Sequence, residues 1–463
     1  MTEQLKLKLN DSKATRWGAL VIVAFTMMAA YYVNDVVAPL KTMLETDLAW
    51  SSTDFGFFTG GYSFLNVFFL MLIWGGLILD RFGIRFTGKL ATILMVGGTA
   101  LEYYAMTGLA GADATLFGIN EIFGYKTGVF VAFAGYSIFG VGAEVAGITV
   151  SKIIAKWFKG KELATAMGVQ VALARIGSQA GYAVAIPLAR AFGISTPVLL
   201  GLVLLLGGMI AFFIFAVMDK KLDKQMEAAA IAAGTEDEEE KFSFKDVKNI
   251  LVNPGFWLIA LLCVLFYSCV FPFQKFASEL MIIKYGINEN VAGTFAGLPA
   301  LGALILTPVF GGFIDKRGKS ASIMLLGSAM LICVHFIYAI PDINYWLVAI
   351  GLMIILGIAF SLVPSAMWPA VAKIFPVSQL GTAYALIFFI QNIGLWGIPT
   401  LIGWVLDAYC ISGKKPDGTN MYDYTVPMCI FTSIACLSLI VALLLKKADK
   451  KYGYKLEEPN IQK

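Results

Sequence analysis

The sequence predicts an all-α polytopic membrane protein, with twelve transmembrane helices in two pseudo-symmetric six-helix halves. Three observations predict it. Of the 463 residues, 59% are hydrophobic and 14% charged, with a mean hydropathy of +0.77, whereas soluble chains carry about 25% charge. The apolar residues come in long blocks, and a run of about 20 crosses a bilayer core. Short strings also recur at fixed offsets between the two halves. The composition excludes a cytosolic enzyme, a disordered chain and a secreted disulfide scaffold. The block length excludes a barrel, whose strands alternate over roughly ten residues.

The blocks fall at 17–40, 52–79, 89–110, 128–150, 163–188, 196–218, 255–279, 291–314, 321–340, 345–366, 381–406 and 424–445. An even number of spans puts both ends of the chain on one side, and basic residues mark the cytoplasmic side. On the side with the ends lie 27 of the 35 lysines and arginines; six lie on the other. Both termini are therefore expected in the cytoplasm, with the bilayer as the chain's surroundings. The longest polar stretch, 219–254, carries Glu236–Glu240 at its centre and reads as a solvated linker. It divides the chain into an N-terminal half, 1–218, and a C-terminal half, 255–463. No cleavable signal peptide is evident, because the first apolar block is followed by more blocks. Five of the six cysteines lie within apolar blocks and Cys410 just past one. None has metal-ligand spacing, and they read as packing residues.

The halves repeat. Gly76, Asp80, Arg81, Gly83 and Arg85 form the pattern G-x-x-x-D-[RK]-x-G-x-[RK]. It returns at Gly311, Asp315, Lys316 and Gly318, offset by 235 and one residue tighter at its end. Ala155–Phe158 and Leu163–Ala166 match Ala372–Phe375 and Leu380–Ala383 at an offset of 217. The difference of 18 places extra residues in the first half, with segment 111–127 the evident site. A charged loop repeated between two six-span halves resembles the major facilitator superfamily, which binds substrate near the midplane between its halves. That resemblance implies a conformational latch at Gly76, Asp80, Arg81, Arg85, Asp315 and Lys316. Further strings are Tyr31-Tyr32 with Asp35, Tyr62-Ser63 with Asn66, Trp157-Phe158-Lys159-Gly160-Lys161-Glu162-Leu163 and Ala174-Arg175-Ile176-Gly177-Ser178. The second half adds Val270–Phe273, Trp368-Pro369, Leu380–Tyr384 and Gln391-Asn392 with Gly394. Together they resemble the lysosomal dipeptide transporter family within that superfamily, over nearly all twelve spans. The resemblance implies carriage of dipeptides by uniport. The N-terminal segment shows no acidic dileucine sorting signal. The single N-x-[ST] site, Asn10-Asp11-Ser12, falls on the cytoplasmic side. A multi-pass protein of the cell membrane, as in a prokaryotic relative, is expected.

An ionisable side chain at bilayer depth is costly and marks a functional site by default. The deepest are Glu144 in the fourth span and Arg175 in the fifth. The 217 offset maps Gly140 to Gly357 and Gly177 to Gly394, but Glu144 to Ser361 and Arg175 to Asn392. The fold repeats and the charges do not, as an asymmetric substrate requires. Counted from the cytoplasmic helix ends, the two lie roughly 12 and 18 Å deep at 1.5 Å per residue. Their difference of about 6 Å matches two residues of extended chain. Glu144 can then hold a ligand ammonium and Arg175 a carboxylate; the rival reading pairs them with each other. Tyr62, Asn66, Trp368, Gln391 and Asn392 are further candidates to line the cavity, and Asp35 to carry a proton or a gate. Glu102 reads as interfacial, Lys275 and Glu279 as a pair, and His335 as a packed polar residue.

No cofactor, nucleic-acid face, enzyme centre or obligatory protein partner is read. Gly312 and Gly318-Lys319-Ser320 miss phosphate-loop spacing by one residue, so a gradient supplies the energy. The expected function is a secondary carrier of dipeptides or other small zwitterions. The rivals are a proton-coupled exporter of drugs or metabolites and a membrane receptor.

Overall fold

The computed structural model describes residues 8–111, 114–158, 161–233, 244–415 and 417–460. The Glu236–Glu240 run and Lys159-Gly160 lie outside them. The first half comprises α1 (Lys13–Val36), α2 (Lys41–Asp47), α3 (Ser52–Phe68), α4 (Met71–Thr107), α5 (Thr127–Trp157), α6 (Leu163–Phe192) and α7 (Thr196–Ala233). A short helix, α8 (Phe244–Val252), leads into the second half: α9 (Pro254–Tyr285), α10 (Glu289–Ala296), α11 (Leu298–Arg317), α12 (Ser320–Ala339), α13 (Trp346–Ile374), α14 (Val377–Tyr409) and α15 (Thr425–Tyr452). Two antiparallel hairpins complete the described chain. One is β1 (Glu121–Ile122) with β2 (Tyr125–Lys126), the other β3 (Ile411–Lys414) with β4 (Asn420–Tyr422). The first occupies the segment that the repeat offset marks as extra.

The helix ends follow local chemistry. Ser12 accepts from the Thr15 amide to open α1. Ser51 and Asp54 form a reciprocal capping box on α3. Asn253 with Pro254 opens α9, and Gly286, at φ 61°, closes it. The second predicted span is broken: α3 and α4 meet at 58° across Phe69-Leu70. The turn between the second and third spans is made by Gly83 at φ 74° inside α4, where a side chain would be strained.

Among the described residues, nine helices are long and apolar enough to cross a membrane alone, and the bent α3–α4 pair passes together. α6 is not among them, because it carries Gln170, Arg175 and Gln179. Its polar face is accommodated by the neighbouring helices rather than by lipid. α7 runs past residue 218. Asp219, fully buried, accepts from Lys156 at 2.7 Å and from the Trp157 indole at 2.9 Å, which fixes the helix as it leaves the membrane. The string around Trp157 is a clamp on the side where both ends of the chain emerge, here the tail side. Phe158 packs edge-on against Trp17 at 5.5 Å, Glu162 takes a two-pronged grip from Arg16, and Lys161 pairs with Asp11 at 2.9 Å. The Lys161 hydrogen bond holds the Asp11 carboxyl below its ordinary value.

The repeat is visible in the packing. At Gly177, α6 approaches α1 so closely that a Cβ would sit 2.1 Å from the Met28 carbonyl oxygen. Its counterpart Gly394 brings α14 against Ser268 of α9. Gly140 does the same between α5 and the Tyr62 backbone of α3, and Gly357 between α13 and Pro299 of α11. Glycine at these crossings lets membrane helices approach closely, backbone to backbone at Gly140, Gly177 and Gly357 and against the Ser268 side chain at Gly394. Gly177→Ala is therefore expected to destabilise by about 1–3 kcal/mol through overpacking. Gly97→Ala, in open space on α4, should be neutral or stabilising. Thermal melts of the two variants in detergent check this; equal melting temperatures would refute the close-approach account.

Candidate functional site

A cavity of about 1430 Å³ lies between the halves. Asn34, Tyr136 and Lys275 line its deep end; Asp80, Ser151, Val247, Gly381 and Thr382 line its mouth on the tail side. Among the described residues its wall carries four charged side chains: Asp80, Glu144, Arg175 and Lys275.

Glu144, on α5, accepts a 2.9 Å hydrogen bond from the Tyr62 hydroxyl of α3. Arg175, on α6, has no carboxylate within ion-pair distance among the described residues. Its guanidinium carbon instead lies 5.6 Å from the Tyr31 ring centre and 4.8 Å from that of Phe360, cation–π contacts, and its N–H groups make no hydrogen bond among the described residues. Tyr31 belongs to the first half and Phe360 to the second, so Arg175 stands at the seam. Glu144 and Arg175 thus share one cavity without pairing with each other. On the second half's wall, Trp368 stacks on Phe388 at 4.8 Å, and its carbonyl accepts from the Tyr384 hydroxyl. Gln391 and Asn392 also reach the cavity. The Asn392 amide donates to the Phe388 carbonyl at 2.9 Å, and its oxygen has no partner among the described residues. Asn66 does not reach the cavity: it is buried at 1% exposure and neither amide atom is paired among the described residues. The four-residue spacing from Tyr62 did not carry it onto the wall.

The opposite end of the bundle, here the gate side, is closed by polar contacts between the halves. Asp35 of α1 accepts from Lys275 of α9 at 3.3 Å, and Lys275 also donates to the Asn34 carbonyl at 2.6 Å. Lys41 is buried between Glu45 and Glu279, at 2.5 Å from each. Lys415, on the hairpin between α14 and α15, stands 3.8 and 3.7 Å from the same two carboxylates. Asp407 of α14 accepts from the Ser52 and Thr53 amides at the start of α3, where an anion is favoured. Arg190 pairs with Glu289. Gly56 and Gly403 bring α3 and α14 into backbone contact, and Gly293 does the same for α10 on α6.

These contacts correct two sequence expectations, the Lys275–Glu279 pair and the place of Glu102. Lys275 and Glu279, four apart on α9, do not pair; the other half supplies a partner for each. Asp35, expected to carry a proton or a gate, faces Lys275 at the closed end, away from the cavity wall. Glu102 is not interfacial but fully buried. The Lys41–Glu45–Glu279–Lys415 group was missed altogether. Its signal was present in two lysines counted as loop charges, Lys41 at the end of the first apolar block and Lys415 between the last two. His335 is buried between Phe273 and Phe431, as a packed polar residue.

The latch motif sits at the cavity mouth. Gly76 and Asp80 line it. Asp80 pairs with Lys152 of its own half at 3.0 Å, Arg81 lies over Phe82, and Arg85 reaches Asp219 and Asp223. In the second copy, Asp315 accepts from Asn460 at 2.8 Å and Lys316 is exposed.

A twelve-span bundle whose halves close over one end of a central cavity and open at the other is the architecture of a membrane transporter. The profile of the Major Facilitator Superfamily matches residues 20–399, and the chain belongs to that superfamily. It is 28% identical over 450 residues to the human lysosomal dipeptide transporter MFSD1, covering 94% of this chain and 87% of that one. The chicken protein of the same name is 33% identical over 287 residues, 59% of this chain and 62% of that one. Among solved structures, the nucleoside transporter NupG superposes with a TM-score of 0.68 at 12% identity, over 92% of this chain and 98% of that one. A peptide transporter in complex with sulfate gives 0.65 at 15%, over 95% and 94%. At these identities the superpositions bear on the fold alone.

Lys41→Gln should cost about 3–5 kcal/mol, because it strands buried carboxylates. Adding Glu279→Gln should restore part of that loss. Melting of the single and double variants checks this; a single variant as stable as the parent would show that the quartet does not hold the gate.

Proposed function

We propose that the chain carries dipeptides across the cell membrane by alternating access, as a facilitated uniport, with the tail side in the cytoplasm. The observation that carries the reading is the pair Glu144 and Arg175, set in one cavity and not paired with each other. A dipeptide has an ammonium for the first and a carboxylate for the second. The free N–H edge of Arg175 suits a two-pronged carboxylate, and Tyr62 orients Glu144. The aromatic and amide wall at Phe360, Trp368, Gln391 and Asn392 then faces the peptide unit and side chains. Likeness to the dipeptide transporter over most of the chain supports the same substrate class. The excess of lysine and arginine on the tail side supports the orientation.

The expected result is a melting temperature that rises with millimolar Ala-Ala more than with alanine, since only a ligand reaching both anchors gains both contacts. Glu144→Gln should weaken Ala-Ala about tenfold or more, yet change little for N-acetylated Ala-Ala. Arg175→Lys should weaken Ala-Ala but not its amide. Variants that bind all three compounds in the parent's order and strength would refute the two-anchor site.

Asp80→Asn and Asp315→Asn lie at or beyond the cavity mouth. They should slow labelled Ala-Ala counterflow in liposomes at least severalfold while leaving Ala-Ala binding within a few-fold. Loss of binding in a well-folded Asp80→Asn variant would refute the latch assignment.

A further inference from the structure

Glu102 of α4 is fully buried, and neither carboxylate oxygen has a hydrogen-bond partner among the described residues. It lies where α4 and α5 touch through glycine: a Cβ on Gly98 would meet the Gly135 carbonyl at 2.4 Å, and one on Gly135 the Glu102 amide at 2.9 Å. An ionised carboxylate without a donor in such a place is disfavoured by several kcal/mol. Of the other buried carboxylates at this end, Asp35, Glu45 and Glu279 each face an ammonium, and Asp54 accepts from the Ser51 amide.

The groups facing Glu102 are few. From α5 the hydroxyl of Tyr136, which donates to the Asn34 carbonyl at 2.8 Å, lies within electrostatic reach of it. From α9 the ammonium of Lys275 acts on it, and that ammonium is already held by Asn34, Asp35 and Tyr136. The contacts of α4 with α1, α3, α7 and α14 bring no further charged group to it among the described residues. Glu102 is also absent from the cavity wall, although Tyr136 and Lys275 are on it. The cavity that opens on the tail side therefore does not reach it.

We infer that Glu102 is a proton-binding site of the gate, occupied while the gate side is closed and emptied when it opens. The inference rests on the alternating-access reading above. Opening separates α9 from α1 and parts Lys275 from Asp35. Water from the gate side then reaches Glu102 and hydrates its carboxylate, which offsets the departure of the Lys275 ammonium with α9. The proton arrives and leaves on the same side, so it adjusts the gate without crossing the membrane, and uniport is preserved. The closed state holds one more proton than the open state. Lower pH on the gate side favours closure, higher pH favours opening, and one proton changes the ratio by at most tenfold per pH unit.

The test is the distance across the gate, read by paired spin labels at exposed Asp47→Cys and Asp342→Cys with Cys333, Cys429 and Cys436 replaced by alanine. It is measured from acid to mildly alkaline pH without substrate, so it does not depend on the dipeptide assignment. The expected result is an open fraction that rises with pH in the parent and stays low and flat in Glu102→Gln, which mimics the protonated acid. Should that variant fold poorly, Glu102→Leu takes its place with the same expectation. A flat parent profile would overturn the inference whatever the variants do. An unchanged slope in the folded variant would also overturn it, by assigning the titration to Asp35, Glu45, Asp54 or Glu279.

Discussion

A charge in the membrane interior must find a partner, a proton or water, and in this bundle nearly all such charges lie on the seam between the halves. Asp35 meets Lys275 across it, and Lys41 joins Glu45 of its own half to Glu279 of the other. Carboxylates and ammoniums that would be costly alone become the contacts that hold the gate shut. Such a closure is strong while intact and weak once water enters, because separated charges regain their hydration. Apolar packing on the same surface would lack that sensitivity to water, and a transporter has to open this face again. Glycine complements the ion pairs. At Gly56, Gly293 and Gly403 the backbones of the two halves meet directly, so closure needs no side chain to be reordered.

The same constraint explains why the cavity is built as it is. Within each half, the glycine crossings at 140 and 177 and their counterparts at 357 and 394 place the helices with near-symmetry. The charges break that symmetry. Glu144 and Arg175 belong to the first half, whereas Ser361 and Asn392, at the matching positions of the second, are neutral. Ser361 is spent on its own helix, donating to the Gly357 carbonyl at 2.7 Å, and Asn392 donates to Phe388. On the dipeptide reading, a symmetric frame carrying asymmetric chemistry would let one half grip the charged groups of a ligand while the other reads its neutral parts.

Most of the fold was legible in the sequence, because membrane spans are specified by composition over long windows. The blocks, the repeat offsets and the extra segment 111–127 all correspond to structural elements. The break at Leu70 was not legible, since no glycine or proline marks it and the residue adopts φ 54°. Within the site, Glu144 and Arg175 stood out as deep charges in one half. The gate did not, because its pairs join residues far apart in the chain, such as Asp35 with Lys275 and Lys41 with Glu279. Four-residue helical spacing favoured Lys275 with Glu279, a pairing that local geometry permits and tertiary structure overrides. Glu102 was misplaced for a related reason. Counting residues from a helix end gives depth along the membrane normal but not which face meets a neighbour, and α5 covers that face.

Arg175 is the point where these arguments join. Its contacts are ring faces, Tyr31 of its own half and Phe360 across the seam, and a guanidinium held by rings rather than by a carboxylate keeps its donors unspent. A carboxylate arriving from the tail side can therefore take the edge of the group without displacing anything, so binding is not opposed by the loss of an existing ion pair. Had Glu144 and Arg175 paired, every ligand would have to separate them first, and a buried pair broken on one side leaves a costly charge behind. Holding the two apart, one by a tyrosine hydroxyl and the other by aromatic faces, gives up some stability in the empty protein. In exchange, a ligand with both charges satisfies both anchors together, while a ligand with one leaves the other unmet. On the dipeptide reading, selectivity for a zwitterion then follows from how the empty site is held as much as from the contacts it makes when full.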